Sequence, residues 1–277
     1  MPGTLYVVAT PIGNLGDLSP RAAEVLRTVA VIAAEDTRET RKLAERVGSG
    51  ARLVSCHAHS TAGRIEEVLA VLAGGADVAV TSDAGTPGVS DPGPALVARA
   101  REAGFPVVPI PGPSAVATAL MASGMAADRY VFLGFAPRKG GERTEWLERI
   151  HRETIPVVCF EAPGRAADLL DDLAQVCGPA RRAVVARELT KKFEEIRAGT
   201  LTELVAWSQS TEVRGEVTVV IEGSSEAPAP VETGPAAAMA KALVAAGVER
   251  SRVAKAVAEV FGLSRNESYR LVAEDPS

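Results

Sequence analysis

Residues Ser82 to Pro94, SDAGTPGVSDPGP, constrain this chain more than any other segment. They hold three Gly and three Pro in thirteen residues, between an apolar run at Val78–Val80 and a helix pattern at Leu96, Val97 and Ala100. A strand that ends in such a loop and then opens a helix leaves bare backbone at the carboxyl edge of a sheet. Open α/β sheets hold small ligands at that edge. The segment Thr10–Asp17 (TPIGNLGD) repeats the pattern after Leu5–Ala9, and Pro109–Ser114 (PIPGPS) follows Val107 and Val108. One such loop is a turn; three in one half of a chain predict a shared site.

The first half alternates strands with helices. Strand patterns lie at Leu5–Ala9, Val29–Ala34, Arg52–Cys56, Val78–Thr81 and Pro106–Ile110. Ser19-Pro20 pairs a cap residue with Pro at the first helical position. Ile65, Val68, Leu69 and Leu72 form the stripe of a half-buried helix. Such alternation implies mostly parallel pairing. After a helix at Ala115–Ala122 and a break near Ser123–Asp128, the rhythm changes. Strands are expected at Tyr130–Phe135, Pro156–Glu161, Ala183–Glu188, Glu194–Ala198 and Glu216–Glu222, with the strongest helical stripe at Leu169, Leu170, Leu173 and Val176. Two late strands separated only by a short helix near Leu201–Trp207 suggest a mixed sheet. The expected organisation is therefore an α/β domain over 1–124, a second over 125–223, a Pro/Ala/Ser-rich linker over 224–234 and a helical tail over 235–277. The tail shows helix patterns at Ala236–Ala246, Arg250–Phe261 and Ser264–Val272, with Val253, Val257, Val260 and Phe261 on one face of the middle one. Gly262-Leu263-Ser264 reads as a turn into a fresh N-cap, a helix-turn-helix-like arrangement.

Composition narrows the function classes. A hydrophobic content of 47% with 23% charged residues describes a soluble globular chain of 277 residues, and no apolar run is long enough for a membrane helix. The opening MPGTLYVVATPIGN lacks a basic leader, which points to a cytoplasmic protein. Cys56, Cys159 and Cys177 are scattered without C-x-x-C spacing, so no structural metal site is expected. A net charge of −5 means that a nucleic acid would have to meet a local basic patch.

The loops contain neither G-x-x-x-x-G-K-[ST] nor G-x-G-x-x-G, so nucleoside triphosphates and dinucleotides lose their usual support. They offer backbone groups and few charges, Asp17, Asp83 and Asp91. That chemistry suits a neutral or cationic ligand without phosphate, of which S-adenosylmethionine is one. Seven ordered segments then become specific: ATPIGNLGDLSPRA (Ala9–Ala22), AEDTRETRKL (Ala34–Leu43), SDAGTPGVSDPG (Ser82–Gly93), PGPSA (Pro111–Ala115), FEAPGR (Phe160–Arg165), ARELTKKFEE (Ala186–Glu195) and RGEVTVVIEG (Arg214–Gly223). Together they resemble the ribosomal RNA small-subunit methyltransferase I family, of the tetrapyrrole-methylase-like fold.

The resemblance implies two α/β domains with S-adenosylmethionine in the cleft between them, a small helical appendage and a homodimer. It implies methylation of the ribose 2′-hydroxyl of a cytidine in 16S ribosomal RNA, with the assembled small subunit as the expected substrate and naked RNA as the open alternative. By motif position it places Pro11, Asp83, Ala84, Gly85, Thr86, Val89, Ser114 and Ala115 on the first-domain side of the cofactor. Phe160, Glu161, Val217 and Thr218 would come from the second. Relatives on the same fold methylate tetrapyrrole precursors, so the fold alone does not choose the acceptor. The chain departs from the family pattern at Ala162 and Gly164, where relatives carry Ser and His, and at Ser60 after His57-Ala58-His59.

Methyl transfer needs alignment, exclusion of water and a destination for the hydroxyl proton, for which a base contributes about 10²–10⁴-fold. The candidate groups are Glu35, Asp36 and Arg38 after the second strand, and Glu188 with Lys191. For the first set a helix start is an equal reading, because Asp36 is a good N-cap and Glu39 sits at capping-box spacing. For the second the alternative is a solvated strand end carrying a surface ion pair. His57 and His59 lack a third ligand in sequence, so packing is the better reading. Trp146 and Trp207 fall in helical stripes and read as core or interface. Basic clusters at Arg38/Arg41/Lys42, Arg138/Lys139/Arg143, Arg181/Arg182 and Lys191/Lys192 would grip RNA phosphates if they converge at the cleft. The tail, with Arg250, Arg252, Lys255, Arg265 and Arg270, is either a docking surface or a packing appendage. A tetrapyrrole methyltransferase and a non-enzymatic nucleic-acid binder are the competing functions.

Overall fold

The computed structural model describes residues 1–56, 62–91, 93–225, 233–263 and 265–273. Five short strands build the first sheet: β1 (Leu5–Val8), β2 (Val31–Ala34), β3 (Arg52–Ser55), β4 (Val78–Thr81) and β5 (Val107–Ile110). They are all parallel, in the order β3-β2-β4-β1-β5. The residues of β2 and β4 are buried throughout, as expected of strands covered by helices on both faces. Pro109 is tolerated because β5 is an edge strand and needs no second ladder.

The helices α1 (Pro20–Thr28), α2 (Thr37–Val47), α3 (Ala62–Ala73), α4 (Pro94–Glu102) and α5 (Ala115–Ser123) connect and follow these strands. The Ser19 side chain caps α1 by accepting from the Ala22 N–H, with Pro20 at N1. Val68, Leu69 and Leu72 of α3 are buried against β2, β4 and α4, so the sequence stripe faces the core. Because β1 lies between β4 and β5, the loops leaving all three strands emerge side by side at the carboxyl edge.

The second sheet contains β6 (Val131–Phe135), β7 (Val157–Glu161), β8 (Arg182–Arg187), β9 (Glu195–Thr200) and β10 (Val217–Ile221), ordered β6-β7-β10-β8-β9. Only β6 and β7 pair in parallel, so the sheet is mixed. Central β10, VTVVI, is buried at every position. One face is covered by α6 (Gly141–Arg152), α7 (Ala166–Cys177) and α8 (Leu201–Ser210), with Leu169, Leu170, Leu173, Leu204 and Trp207 in the core. The other face meets the first lobe. Val158, Val184, Ala186 and Val220 pack with Ile12, Val116 and Ala119 in one apolar cluster. Both sheets thus belong to a single compact unit, Met1–Ser224.

A second unit, Ser225–Ser277, contains α9 (Thr233–Ala245), α10 (Arg250–Phe261) and α11 (Arg265–Ala273). It has its own core of Ala236, Ala240, Val253, Ala254, Val257, Leu263 and Val272. Val260, assigned by its spacing to the buried face of α10, is instead 62% exposed. Most of the linker, and Ser264, lie outside the described residues, as do His57 and His59.

Candidate active site

The three Gly/Pro loops are hydrogen-bonded to one another. Thr10 donates its N–H to the Gly85 carbonyl at 2.8 Å, and Gly85 returns its own to the Thr10 carbonyl at 3.1 Å. Thr86 Oγ1 donates to the Pro113 carbonyl at 3.1 Å. Gly85 has φ +81°, and a Cβ there would stand 3.3 Å from Ile12 Cγ2, so this close approach needs glycine.

Between these loops and the edge of the second sheet lies a cleft of about 230 Å³. The first loop contributes Ile12; the second Ala84, Gly85, Thr86, Val89, Ser90 and Asp91; the third Ser114 and Ala115. The opposite wall is Phe135, Phe160, Glu161, Ala162, Pro163, Glu216, Val217 and Thr218. Phe160 is held by edge contacts with Phe132 and Phe135, at centroid distances of 5.0 and 5.4 Å. Among the described residues no Lys or Arg lines the cleft, whereas Asp91, Glu161 and Glu216 do. Glu161 and Glu216 are themselves paired, with Arg165 and Lys191, so Asp91 is the carboxylate left to a ligand with positive charge, and the lining offers a phosphate no cation.

Glu161 is fully buried at the end of β7. Its Oε1 accepts from the Ala162 N–H at 2.7 Å and pairs with Arg165, while Arg143 Nη1 stands 4.0 Å from Oε2. Among the described residues Oε2 has no hydrogen-bond partner. Arg143 also binds Asp172 at 2.6 Å and the Pro137 carbonyl at 2.7 Å. Its expected place in an RNA-facing basic cluster is therefore corrected: it is a partly buried cation engaged within the second lobe.

The sequence-selected residues divide. Ala84, Gly85, Thr86, Val89, Ser114, Ala115, Phe160, Glu161, Val217 and Thr218 line the cleft; Pro11 and Asp83 do not. Ile12 lines it in place of its neighbour Pro11. Asp83 turns away to tie two loops together, its Oδ1 accepting the Asp36 N–H at 2.8 Å. A capping-box Glu would occupy that N–H, and Glu39 instead pairs with Lys42 at 2.8 Å. Asp36 is the N-cap of α2, accepting from the Arg38 N–H at 2.8 Å and from Arg38 Nη2 at 2.6 Å. The hydrogen bonds from Arg38 hold the Asp36 carboxyl down at about 2. The helix-start reading thus accounts for Asp36 and Arg38. Glu35 Oε2 accepts from the Asp83 N–H at 3.4 Å.

Glu188 and Lys191 form a second cluster beside the cleft. Lys191 Nζ lies 3.0 Å from Glu188 Oε1 and 3.1 Å from the cleft residue Glu216. The Lys191 hydrogen bond keeps the Glu188 carboxyl below its ordinary value. Gly13, at φ +155°, lets this corner approach the first loop, since a Cβ there would fall 2.4 Å from Lys191 Cγ. Three non-glycine residues among those described have positive φ: Ser90, Glu188 and Thr190. Ser90 lines the cleft, and Glu188 contacts Glu216, which also lines it. Strain of this kind concentrates at functional sites.

Sequence reasoning missed Ile12, Ser90, Asp91, Phe135, Ala162, Pro163 and Glu216 as lining residues. Asp91 is the most consequential. It is half-buried, and that burial pushes its carboxyl up to about 6, against the pull of a Ser82 hydrogen bond and with help from the charges of Glu35, Asp83 and Glu216. Its signal was present, a carboxylate inside the most Gly/Pro-rich loop of the chain.

Comparison with known proteins assigns the family. A family model described as Tetrapyrrole (Corrin/Porphyrin) Methylases matches residues 4–205. The Ribosomal RNA small subunit methyltransferase I of Micromonospora olivasterospora is 47% identical over 271 residues, covering 98% of this chain and 86% of that protein. The chain belongs to the ribosomal RNA small subunit methyltransferase I family. The family member from Synechocystis is 43% identical over 274 residues, 98% of both chains. A uroporphyrin-III C-methyltransferase from Thermus thermophilus, solved with S-adenyl homocysteine, superimposes with a TM-score of 0.57 at 19% identity, over 79% of this chain and 97% of that one. At that identity it shows a shared fold, which this family member builds with its two sheets and three linked loops.

Proposed function

We propose that this chain transfers the methyl group of S-adenosylmethionine to the ribose 2′-hydroxyl of a cytidine in 16S ribosomal RNA, acting in the cytoplasm as a homodimer on the assembled small subunit. The observation that carries the reading is the cleft: main-chain loops and three carboxylates, with no basic residue among the described ones that line it. That donor set fits a molecule with a sulfonium and an ammonium group and no phosphate. Ala84, Gly85, Thr86, Ser114 and Ala115 would hold it from one side, and Phe160, Val217 and Thr218 from the other. When bound, it supplies an electrophilic methyl carbon.

The chain's own contribution is then alignment and exclusion of water, through the rigid loop network and the Phe132–Phe160–Phe135 cluster. The acceptor reading draws on the names of the relatives. It also draws on Lys192, whose ammonium lies 5.4 Å over the ring of Phe193, itself 68% exposed. An aromatic face next to a cation suits an unpaired RNA base. Several cations of the predicted basic clusters, by contrast, are engaged within the protein: Arg38, Lys42, Arg143 and Lys191 in ion pairs, and Arg181 on two carbonyls. The exposed apolar side chains Met121 and Tyr130 offer surface to a second copy.

The decisive assay incubates the protein with methyl-labelled S-adenosylmethionine and either unmethylated small subunits or a reduced tetrapyrrole, then locates the label by mass spectrometry. Label on one cytidine ribose is expected. Label on a base, or only on the tetrapyrrole, would refute the acceptor assignment, and no label on either would favour a binding protein.

A further inference from the structure

We propose that Asp91 accepts the proton of the acceptor hydroxyl, as the one carboxylate lining the cleft that forms no ion pair among the described residues. This rests on the function proposed above and names the proton's destination, which the fold alone does not.

The other carboxylates in and beside the cleft are all engaged. Glu161 is held by Arg165 and faces Arg143. Glu216 and Glu188 share Lys191. Asp36 is gripped by Arg38, while Asp83 receives the Asp36 N–H and Glu35 the Asp83 N–H. A carboxylate neutralised by a guanidinium or an ammonium is a poor base, because its charged form is already stabilised. Asp91 is placed differently. It lines the cleft and is approached by the like charges of Glu35 after β2, Asp83 after β4 and Glu216 before β10, the last of these bound to Lys191. Ser90, immediately before it, is fixed at φ +62°, a conformation that an L side chain adopts only under constraint. The resulting affinity for a proton leaves Asp91 ionised at neutral pH yet far more basic than an ordinary aspartate, the balance a general base needs.

The step balances. The hydroxyl oxygen bonds to the methyl carbon as the carbon–sulfur bond breaks, and the electron pair of that bond stays on sulfur as a neutral thioether. The hydroxyl proton passes to the Asp91 carboxylate and leaves to water after product release.

The test compares the parent protein with Asp91→Asn in single-turnover methylation of small subunits between about pH 5 and 9, with calorimetry of S-adenosylhomocysteine binding alongside. The parent rate should climb about tenfold per pH unit and level off above about pH 6, while Asp91→Asn should be roughly 10²-fold slower or worse and flat with pH. Product affinity should stay within about threefold, which separates loss of the base from loss of the site. Independently of turnover, a carbon-13 NMR titration of the Asp91 carboxyl in the parent should show a midpoint of about 6, and this decides the matter alone if the variant does not fold. An Asp91→Asn rate within about threefold of the parent, or a midpoint near the ordinary value of about 4, would overturn the proposal. A parent protein that methylates no RNA would instead sink the proposed function, and this inference with it, before any variant is compared.

Discussion

At the scale of single residues, the site is governed by which charges are neutralised and which are not. Asp91 has a raised proton affinity in the folded protein, so its protonated form is the one the fold prefers. The stability it contributes is complete below the ordinary value of 3.8 and is lost as pH rises through about 6. Replacing it with Asn removes that penalty. Asp91→Asn is therefore expected to melt about 2–4 °C above the parent at pH 7.5, with the advantage gone near pH 4, read by calorimetric or fluorescence melts. An advantage independent of pH would show that the carboxylate is not destabilised by its surroundings. Glu161, lined up from its motif, was legible as a cleft residue. Its neighbour Arg165 sits four positions on in the same motif, but Arg143 was not legible, because it lies eighteen positions upstream and only folding brings it there. Asp36 and Arg38 show the reverse: the residue types suited catalysis equally well, and local capping geometry claimed them.

Among the elements, the three stitched loops carry most of the functional weight. Gly85 sits where β1 and β4 hand their chains to the cleft, and the Thr10–Gly85 bridge closes that junction. An Ala there must adopt φ near +81° and crowd Ile12. Gly85→Ala is expected to destabilise the first unit by about 1–2 kcal/mol and to weaken S-adenosylhomocysteine binding by at least about tenfold, measured by denaturant melts and calorimetry. Unchanged affinity would show that the loop network does not shape the cleft. The strand–helix alternation of the first half was legible because parallel strands covered on both faces read as continuous apolar runs. The mixed second sheet was legible from the short spacing between its late strands. Less so was the extent of β9, which runs to Thr200, two residues past its apolar pattern, because its register is fixed by pairing with β8 instead of by its own side chains. The capping box of α8, Thr200 with Glu203, was written in the sequence and passed over.

The whole molecule divides after Ser224 into a two-sheet body and a helical unit with a core of its own. All the cleft residues belong to the body. A chain ending at Ser224 should accordingly bind S-adenosylhomocysteine within about twofold of the full protein, while any loss of affinity for small subunits would report the tail's contribution to docking. Loss of product binding on truncation would contradict the independence of the two units. The family as a whole was legible in seven ordered motifs, yet the motifs reported which segments meet and not which side chains within them face the ligand. A cleft of main-chain turns and carboxylates, with no cation among its described lining residues, should receive a methyl donor without phosphates. Titration calorimetry of the purified protein with S-adenosylmethionine, and in parallel with ATP, tests it most directly. One donor bound per cleft and no heat with ATP is the predicted result; binding of ATP, or silence with the donor, would contradict it.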